Sequence, residues 1–573
     1  MTGKARALAQ LFKYEEALEL IKQALTIRPD SEDTLLERAQ ILQASGDAES
    51  ALAQYDSLLA NNPKLAEALI NRGNLLNNLG FFSQAVDDLE KALSCTADIE
   101  PIALFNLSKA YNGLKENDKA IRVLEKLVSV CPTYPAAKGI LLHQKMLCCD
   151  WNGYDRLVEE IQADVSLGHP AAEPFGVQAW SDSESFIQSA VTLYTQHYYP
   201  RIKRDCEQKI ARSNKIRIGY VCGEYREHAT MILMEGVFKS HNKEKFELHG
   251  FSTAEPSPTD YSERIISYFD SFHFIHQLSD AGACKRIQQL GVDILINLNG
   301  YYGAYRMGLF RLRPAPIQIN YLGFPGTLGA NYMDYIIADE IVIPKTSMRF
   351  YAEKVIYLPR CYQPNNQMRP AVDCSYSKET LGFNRSQFVY GSFNNNYKLT
   401  PQHFALWLDI LQKTPNSVLL LLLDNDHGKQ NIINTTNSAG IDSSRIKFLK
   451  RCSMPEHLAR HQAIDLFLDT APYTGHTTLS DAIWMGIPTV SLVSDTFPGR
   501  VSKSLLSAIG MDDLIVETSE EYLTIATRAA QEPEFLAGLR ARLARGVKES
   551  ALYDSASYTS ELEVVLQRIS NSI

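Results

Sequence analysis

Over the first 134 residues, small and apolar positions return every 34 or 35 residues. Ala17, Ala51, Ala85 and Ala120 form one set, and Ala24, Leu58, Ala92 and Leu127 follow seven residues later each time. Small residues at the first set let two helices approach closely, and the second set supplies the core between them. Pro29, Pro63 and Pro132 close units, while Gly46 and Gly80 mark the turn inside one. This period predicts about four stacked helical pairs over 1–134, with the first helix of the first pair clipped. Such a stack presents a concave groove to extended peptides. From 135 to 213 the pattern stays helical but loses its period. Asp150 and Asn152 are candidate caps of a helix there, and the segment is expected to be an adaptor without chemistry of its own.

At Lys215 the pattern changes to short apolar strands between helices. "KIRIGYVCGEY", "FELHGFST", "VDILINLNG" and "IQINYLGF" read as strands of a first series, over 214–375. "FVYGSFN", "SVLLLLLD", "RIKFLK", "IDLFLD" and "IPTVSLVS" read as strands of a second, over 376–573. Alternation of this kind predicts two doubly wound, mostly parallel α/β sheets, whose ligands sit at the carboxyl ends of the strands.

Composition narrows the function. Charged residues are 21% of the chain and the net charge is −9, which disfavours nucleic acid and anionic membranes as partners. The ten cysteines include no C-x-x-C pair, the pattern of reduced thiols rather than of a disulfide or zinc framework. Lys13, Glu15 and Glu16 interrupt any apolar leader, and the longest apolar run, Val418 to Leu423, suits a buried strand and not a membrane span. A soluble, cytoplasmic protein is expected.

One stretch carries chemistry. In "GHTTLSDAIWMG", Gly475 to Gly486, a polar triplet opens a helix that Gly486-Ile487-Pro488 ends. The first turn of a helix has unpaired N–H groups at the positive end of its dipole, a ready anion site. Thr477 or Thr478 as a simple cap is the alternative. There is no G-x-S-x-G elbow, H-E-x-x-H or P-loop lysine.

The repeats resemble the tetratricopeptide repeat (TPR). The ordered segments "RIGYVCGEYREHAT", "RPAPIQINYLGFPGTLGANYMDYIIAD", "YAEKVIYLPRCYQPNN", "GSFNNNYKLTP", "PNSVLLLLL" and "DLFLDTAPYTGHTTLSDAIW" resemble the catalytic region of the O-GlcNAc transferase family, from about Lys215 to Gly546. The resemblance implies an α-helical TPR solenoid followed by an α/β GT-B fold, two Rossmann-like domains facing a cleft. It implies an inverting, metal-independent transfer of GlcNAc from UDP-GlcNAc to Ser or Thr of proteins held along the TPR groove, with no cofactor.

Residue by residue, it implies that Lys398, Asn395, Thr477 and Thr478 hold the diphosphate, where a lysine serves as a point charge on the leaving group. His457 matches the histidine that stacks on uracil, Arg460 the arginine beside the base, and Asp481 the carboxylate for ribose hydroxyls. Met454 departs from the pattern, since many relatives carry a nucleotide-reaching lysine there. His228 matches the histidine proposed as general base, with substrate positioning as its alternative role. Gly323, Pro325, Tyr473 and His476 are placed on the donor sugar; Tyr473 replaces a small residue that lies near the N-acetyl group in animal relatives. Glucose or fucose as the sugar, an Asn acceptor, or a TPR scaffold without catalysis remain the other options.

Overall fold

The computed structural model describes residues 1–95, 100–202, 213–372 and 376–571. The end of the predicted adaptor and the predicted boundary between the two α/β halves lie outside the described residues. The chain forms two compact units: Met1–Gln144 with Ile275–Arg286, and Lys145–Phe274 with Ile287–Ile573.

The first unit holds the repeats. Helices pair as Thr2–Gln10 with Tyr14–Ile27, Glu32–Ser45 with Ala48–Asn61, Ala66–Asn78 with Phe82–Leu93, and Glu100–Gly113 with Asn117–Val130. Ala17, Ala51, Ala85 and Ala120 are fully buried, as close helix pairing requires, and Leu58, Ala92 and Leu127 are buried behind them. Ala24 is only half-buried. The helix that should cover it has 9 residues, against 14 for the corresponding helix of the next pair. Gly46 takes the left-handed conformation (φ 92°) that the turn needs, and a Cβ there would lie 2.8 Å from the Ser279 nitrogen. That contact explains why Ile275–Arg286, placed by chain order in the first α/β half, groups with the repeats.

The second unit opens with the adaptor helices Tyr154–Ser166, Pro174–Val177 and Glu184–Tyr198. Neither predicted cap holds: the helix starts after Gly153 (φ 70°) with no side-chain cap. The Asp150 carboxylate is drawn off by Lys145 Nζ at 2.6 Å and by the Asn152 amide N–H at 3.1 Å. Trp151 Nε1 donates to Leu399 O at 3.2 Å and the indole packs on Phe404, which fastens the adaptor to the second sheet.

Both sheets are parallel throughout. The first comprises β1 Ile216–Cys222, β2 Phe246–Ser252, β3 Ser271–Phe274, β4 Ile294–Asn297, β5 Ile317–Asn320, β6 Tyr335–Ala338 and β7 Lys354–Tyr357, in the order β3-β2-β1-β4-β5-β6-β7. The second comprises β8 Phe388–Ser392, β9 Ser417–Leu422, β10 Ile446–Leu449, β11 Leu466–Leu468, β12 Thr489–Leu492 and β13 Ile515–Val516, in the order β10-β9-β8-β11-β12-β13. Ile218 pairs with both Leu248 and Ile294, and Tyr390 with both Leu419 and Leu466, at the centres of the two sheets. The strand order therefore reverses between β1 and β4 and between β8 and β11, the crevices where an open α/β sheet binds its ligand. The last helix, Ser555–Ser570, belongs to the second half by order but packs on helix Ala229–Ser240 of the first. Glu563 Oε1 accepts the Asn242 N–H at 2.7 Å and lies 3.0 Å from His241 Nδ1. No described helix is long and apolar enough to cross a membrane.

Candidate active site

The carboxyl ends of β1 and β8 lead into one cavity of about 180 Å³, and side chains of both halves line it. Lys398 follows β8 in the short turn Asn396–Lys398 and is 7% exposed. Its ammonium donates to Thr474 O at 2.9 Å and stands 3.9 Å from the centre of the Tyr473 ring. Burial pulls it down to about 7, opposed by the nearby Asp469 carboxylate.

Beside Lys398 opens the helix Thr477–Trp484. His476 stands at its N-cap with no side-chain cap bond. Neither threonine plays the simple capping role: Thr478 Oγ1 donates instead to Asn394 Oδ1. The first-turn N–H groups thus border the cavity without a side-chain acceptor, and Asn395, Thr477 and Thr478 line it with them. A helix start of this kind beside a buried lysine is suited to an anion.

Asp469, at the end of β11, builds that mouth. It is fully buried, and its Oδ1 accepts N–H groups from Thr470 at 2.9 Å, Gly475 at 2.6 Å and Asn394 Nδ2 at 2.9 Å. Its Oδ2 accepts the Ser491 hydroxyl at 2.7 Å and the Ser502 hydroxyl. No motif named above singles out this aspartate. The signal for it is an acidic residue ending a buried strand six positions before a glycine.

Across the cavity stands His228, which caps the helix Ala229–Ser240: its Nδ1 accepts the Thr230 N–H at 3.3 Å. Its Nε2 lies 3.4 Å from the Tyr302 hydroxyl, and burial lowers its pKa below the usual histidine value. The wall between His228 and His476 is aromatic. Phe175 packs on Tyr302, Tyr397 and Tyr473 with ring centres 4.9, 5.3 and 6.4 Å away, and Tyr473 lies 5.0 Å from His476. Phe175 comes from the adaptor, which therefore does contribute to the site. Gly323 lines the cavity too, and a Cβ there would overlap Leu298 O, so only glycine fits. Pro325 lies elsewhere, in a separate small cavity with Gln178 and Glu184.

His457, Arg460 and Asp481 do not line this cavity but cluster together. His457 Nδ1 is 3.0 Å from Arg460 Nη2, its Nε2 is 3.5 Å from Asp481 Oδ2, and its ring leans on Phe393. Burial, together with the neighbouring cations and His461, pushes the imidazole far below its usual range. Arg460 Nη1 donates to Lys450 O at 2.8 Å. Asp481 is also paired with Arg369, a residue that no sequence motif singled out. Among the described residues, no three His, Cys, Asp or Glu side chains group as metal ligands.

The family model described as glycosyl transferase family 41 matches residues 192–369 and 367–562, so both sheets fall within it. The chain belongs to glycosyl transferase family 41. TPR models match 8–75 and 102–134 in front of the family 41 region. A probable UDP-N-acetylglucosamine–peptide N-acetylglucosaminyltransferase SEC of Arabidopsis thaliana is 30% identical over 74% of this chain and 46% of its own length. The UDP-N-acetylglucosamine–peptide N-acetylglucosaminyltransferase of Caenorhabditis elegans is 25% identical over 73% of this chain and 48% of its own. This family 41 chain thus spans about half the length of the curated relatives it matches. Among solved structures, a mutant of the Thermobaculum terrenum O-GlcNAc transferase superposes with a TM-score of 0.69 at 26% identity, covering 94% of this chain and 97% of that one.

Proposed function

We propose that this chain transfers N-acetylglucosamine from UDP to Ser or Thr hydroxyls of protein acceptors, with inversion and without a metal ion. One observation carries the reading: the Lys398 ammonium and the open mouth of helix Thr477–Trp484 share one wall of a cavity whose other wall holds His228. A diphosphate leaving group needs its growing charge met by fixed donors, and this wall supplies a cation and backbone N–H groups. The names of the plant and nematode relatives supply the sugar and the acceptor class.

In this scheme the acceptor oxygen attacks C1 on the face opposite the diphosphate. The bond from C1 to the β-phosphate oxygen breaks, its electrons stay on UDP, and one displacement inverts the carbon. His457 and Arg460 hold the base, Asp481 the ribose, and Gly323, Tyr473 and His476 the sugar. The proton goes to a phosphate oxygen of departing UDP rather than to His228. With Nδ1 accepting the Thr230 N–H, a neutral ring carries its hydrogen on Nε2 and can only donate toward the cavity. His228 then positions substrate. His228→Asn, which keeps a donor, should therefore retain at least about tenfold more turnover than His228→Ala. Equal losses in the two variants, measured by nucleotide release with acceptor present, would restore the general-base role.

Tyr473 favours a second donor. Its ring, held between Lys398 and His476, narrows the cavity on the sugar side, which suits UDP-glucose with no acetamide. The repeats are proposed to hold the protein acceptor. The deciding experiment offers each UDP- and GDP-sugar in EDTA and follows nucleotide release with a whole protein and a short peptide as acceptors. UDP-GlcNAc is expected to turn over, faster on the protein. Loss of turnover in EDTA removes the metal-free reading, and no turnover with any sugar leaves a TPR scaffold.

A further inference from the structure

Asp481 is a buried carboxylate three residues beyond Thr478, roughly 4.5 Å further along the helix whose mouth faces the cavity. A nucleotide whose diphosphate sits at that mouth brings its ribose to about this level. A buried carboxylate without a cation is costly, and the helix and its own loop supply none. The cation comes from Arg369, on the segment that runs between β7 and β8. Its side chain is 1% exposed. One Nη pairs with Asp481 Oδ1, and the other donates to Ser480 Oγ at 2.7 Å. Ser480 Oγ donates onward to Asn365 Oδ1 at 2.7 Å, and the rings of Trp484 and Tyr553 stand 5.7 Å from the guanidinium.

Two further observations point from this group to a ligand. Arg369 Nε is buried and has no hydrogen-bond partner. Arg369 also walls a cavity of about 500 Å³ together with Met454 and Pro455, which directly precede the His457 turn. Met454 brings no charge to that cavity; its cations are Lys239, Arg264 and Arg369, and of these Arg369 is the one that pairs with Asp481, which stands behind the wall.

We propose that Arg369 is the positioning residue of the nucleoside subsite, holding the Asp481 carboxylate in the one orientation that accepts a ribose diol and so selecting ribonucleotides over 2′-deoxyribonucleotides. The inference rests on the UDP reading above. A planar fork that holds the carboxylate with one nitrogen and the Ser480 hydroxyl with the other fixes the angle between them, which a lysine ammonium, a single point charge, cannot copy.

Calorimetric titration of the full chain with UDP, 2′-deoxy-UDP and inorganic pyrophosphate tests it. Wild type is expected to prefer UDP over 2′-deoxy-UDP. Arg369→Met should weaken UDP by about tenfold to a hundredfold and erase that preference, with pyrophosphate, the probe of Lys398 and the helix mouth, unaffected. Arg369→Lys, which keeps the charge and the fold, should fall between. A wild type without the preference, or an Arg369→Met variant that keeps it, overturns the proposal. If Arg369→Met does not fold, Arg369→Lys decides, and wild-type affinity and preference in that variant overturn the proposal equally. A wild-type chain that binds none of the three ligands removes the UDP reading itself, a different result from bound UDP with unchanged discrimination.

Discussion

Lys398→Ala is expected to cut sugar transfer by about a hundredfold to a thousandfold, the loss of roughly 3–4 kcal/mol from the transition state. The size follows from where the charge stands. Lys398 is buried between Thr474 O and the Tyr473 ring, so water screens it little and it need not reorganise when the diphosphate departs. The fold should survive. Burial holds the ammonium at about 7, so the charged form is disfavoured in the folded protein relative to the unfolded chain. Between pH 7 and the ordinary lysine value of about 10.4, the unfolded chain binds a proton that the folded one does not, and this site's contribution to stability rises with pH. Lys398→Met, which fills the same space without a charge, should therefore melt at or above wild type at pH 7. A variant with near-normal turnover would show that Lys398 stands outside the chemistry.

The same residue makes nucleotide binding depend on pH. Above pH 7 free Lys398 is increasingly neutral, and a bound diphosphate must bring the proton back. UDP affinity should then fall by up to about tenfold per pH unit above 7, with net proton uptake visible as a buffer-dependent binding enthalpy. Lys398→Met should flatten this slope.

Much of the architecture is legible from periodicity. A 34-residue return of alanine has few physical meanings besides stacked helix pairs, and the buried runs at β8 and β9 are apolar on both faces as parallel strands must be. Strands β3, β6, β7 and β13 are not among the runs that the pattern marks as strands. Residues Ser271–Phe274 are half-exposed at a sheet edge and Ile515–Val516 is two residues long, so neither displays a period. The site divides in the same way. Lys398, His228, Thr477 and Thr478 sit in local motifs at strand ends or helix starts, where chain order fixes their surroundings. Phe175 and Arg369 take their places through contacts with residues remote in sequence: Phe175 meets Tyr473, and Arg369 meets Asp481. Nothing within a ten-residue window announces such contacts.

Asp469 gives the second large effect, and it arises without any contact to substrate. Five hydrogen bonds converge on its carboxylate, three from N–H groups of Thr470, Gly475 and Asn394 and two from the Ser491 and Ser502 hydroxyls. Together they set the path of the chain from Thr470 to Gly475 and aim Asn394, whose own carbonyl takes the Thr478 hydroxyl. Asp469→Ala leaves three buried N–H donors without acceptors, and should cost about 3–5 kcal/mol locally. The mouth of helix Thr477–Trp484 should then lose its shape, and UDP affinity should fall at least about tenfold while helices far from it, among them the repeats, keep their protection from hydrogen exchange. Asp469→Asn is the sharper comparison. Its carbonyl can still accept the three N–H groups, and its amide can donate to two serine hydroxyls that are free to rotate into acceptors. It should retain most UDP binding. Equal loss in both variants would mean that the negative charge of Asp469, acting on Lys398, matters more than the geometry it imposes; wild-type affinity in Asp469→Ala would mean that the mouth is held by something else.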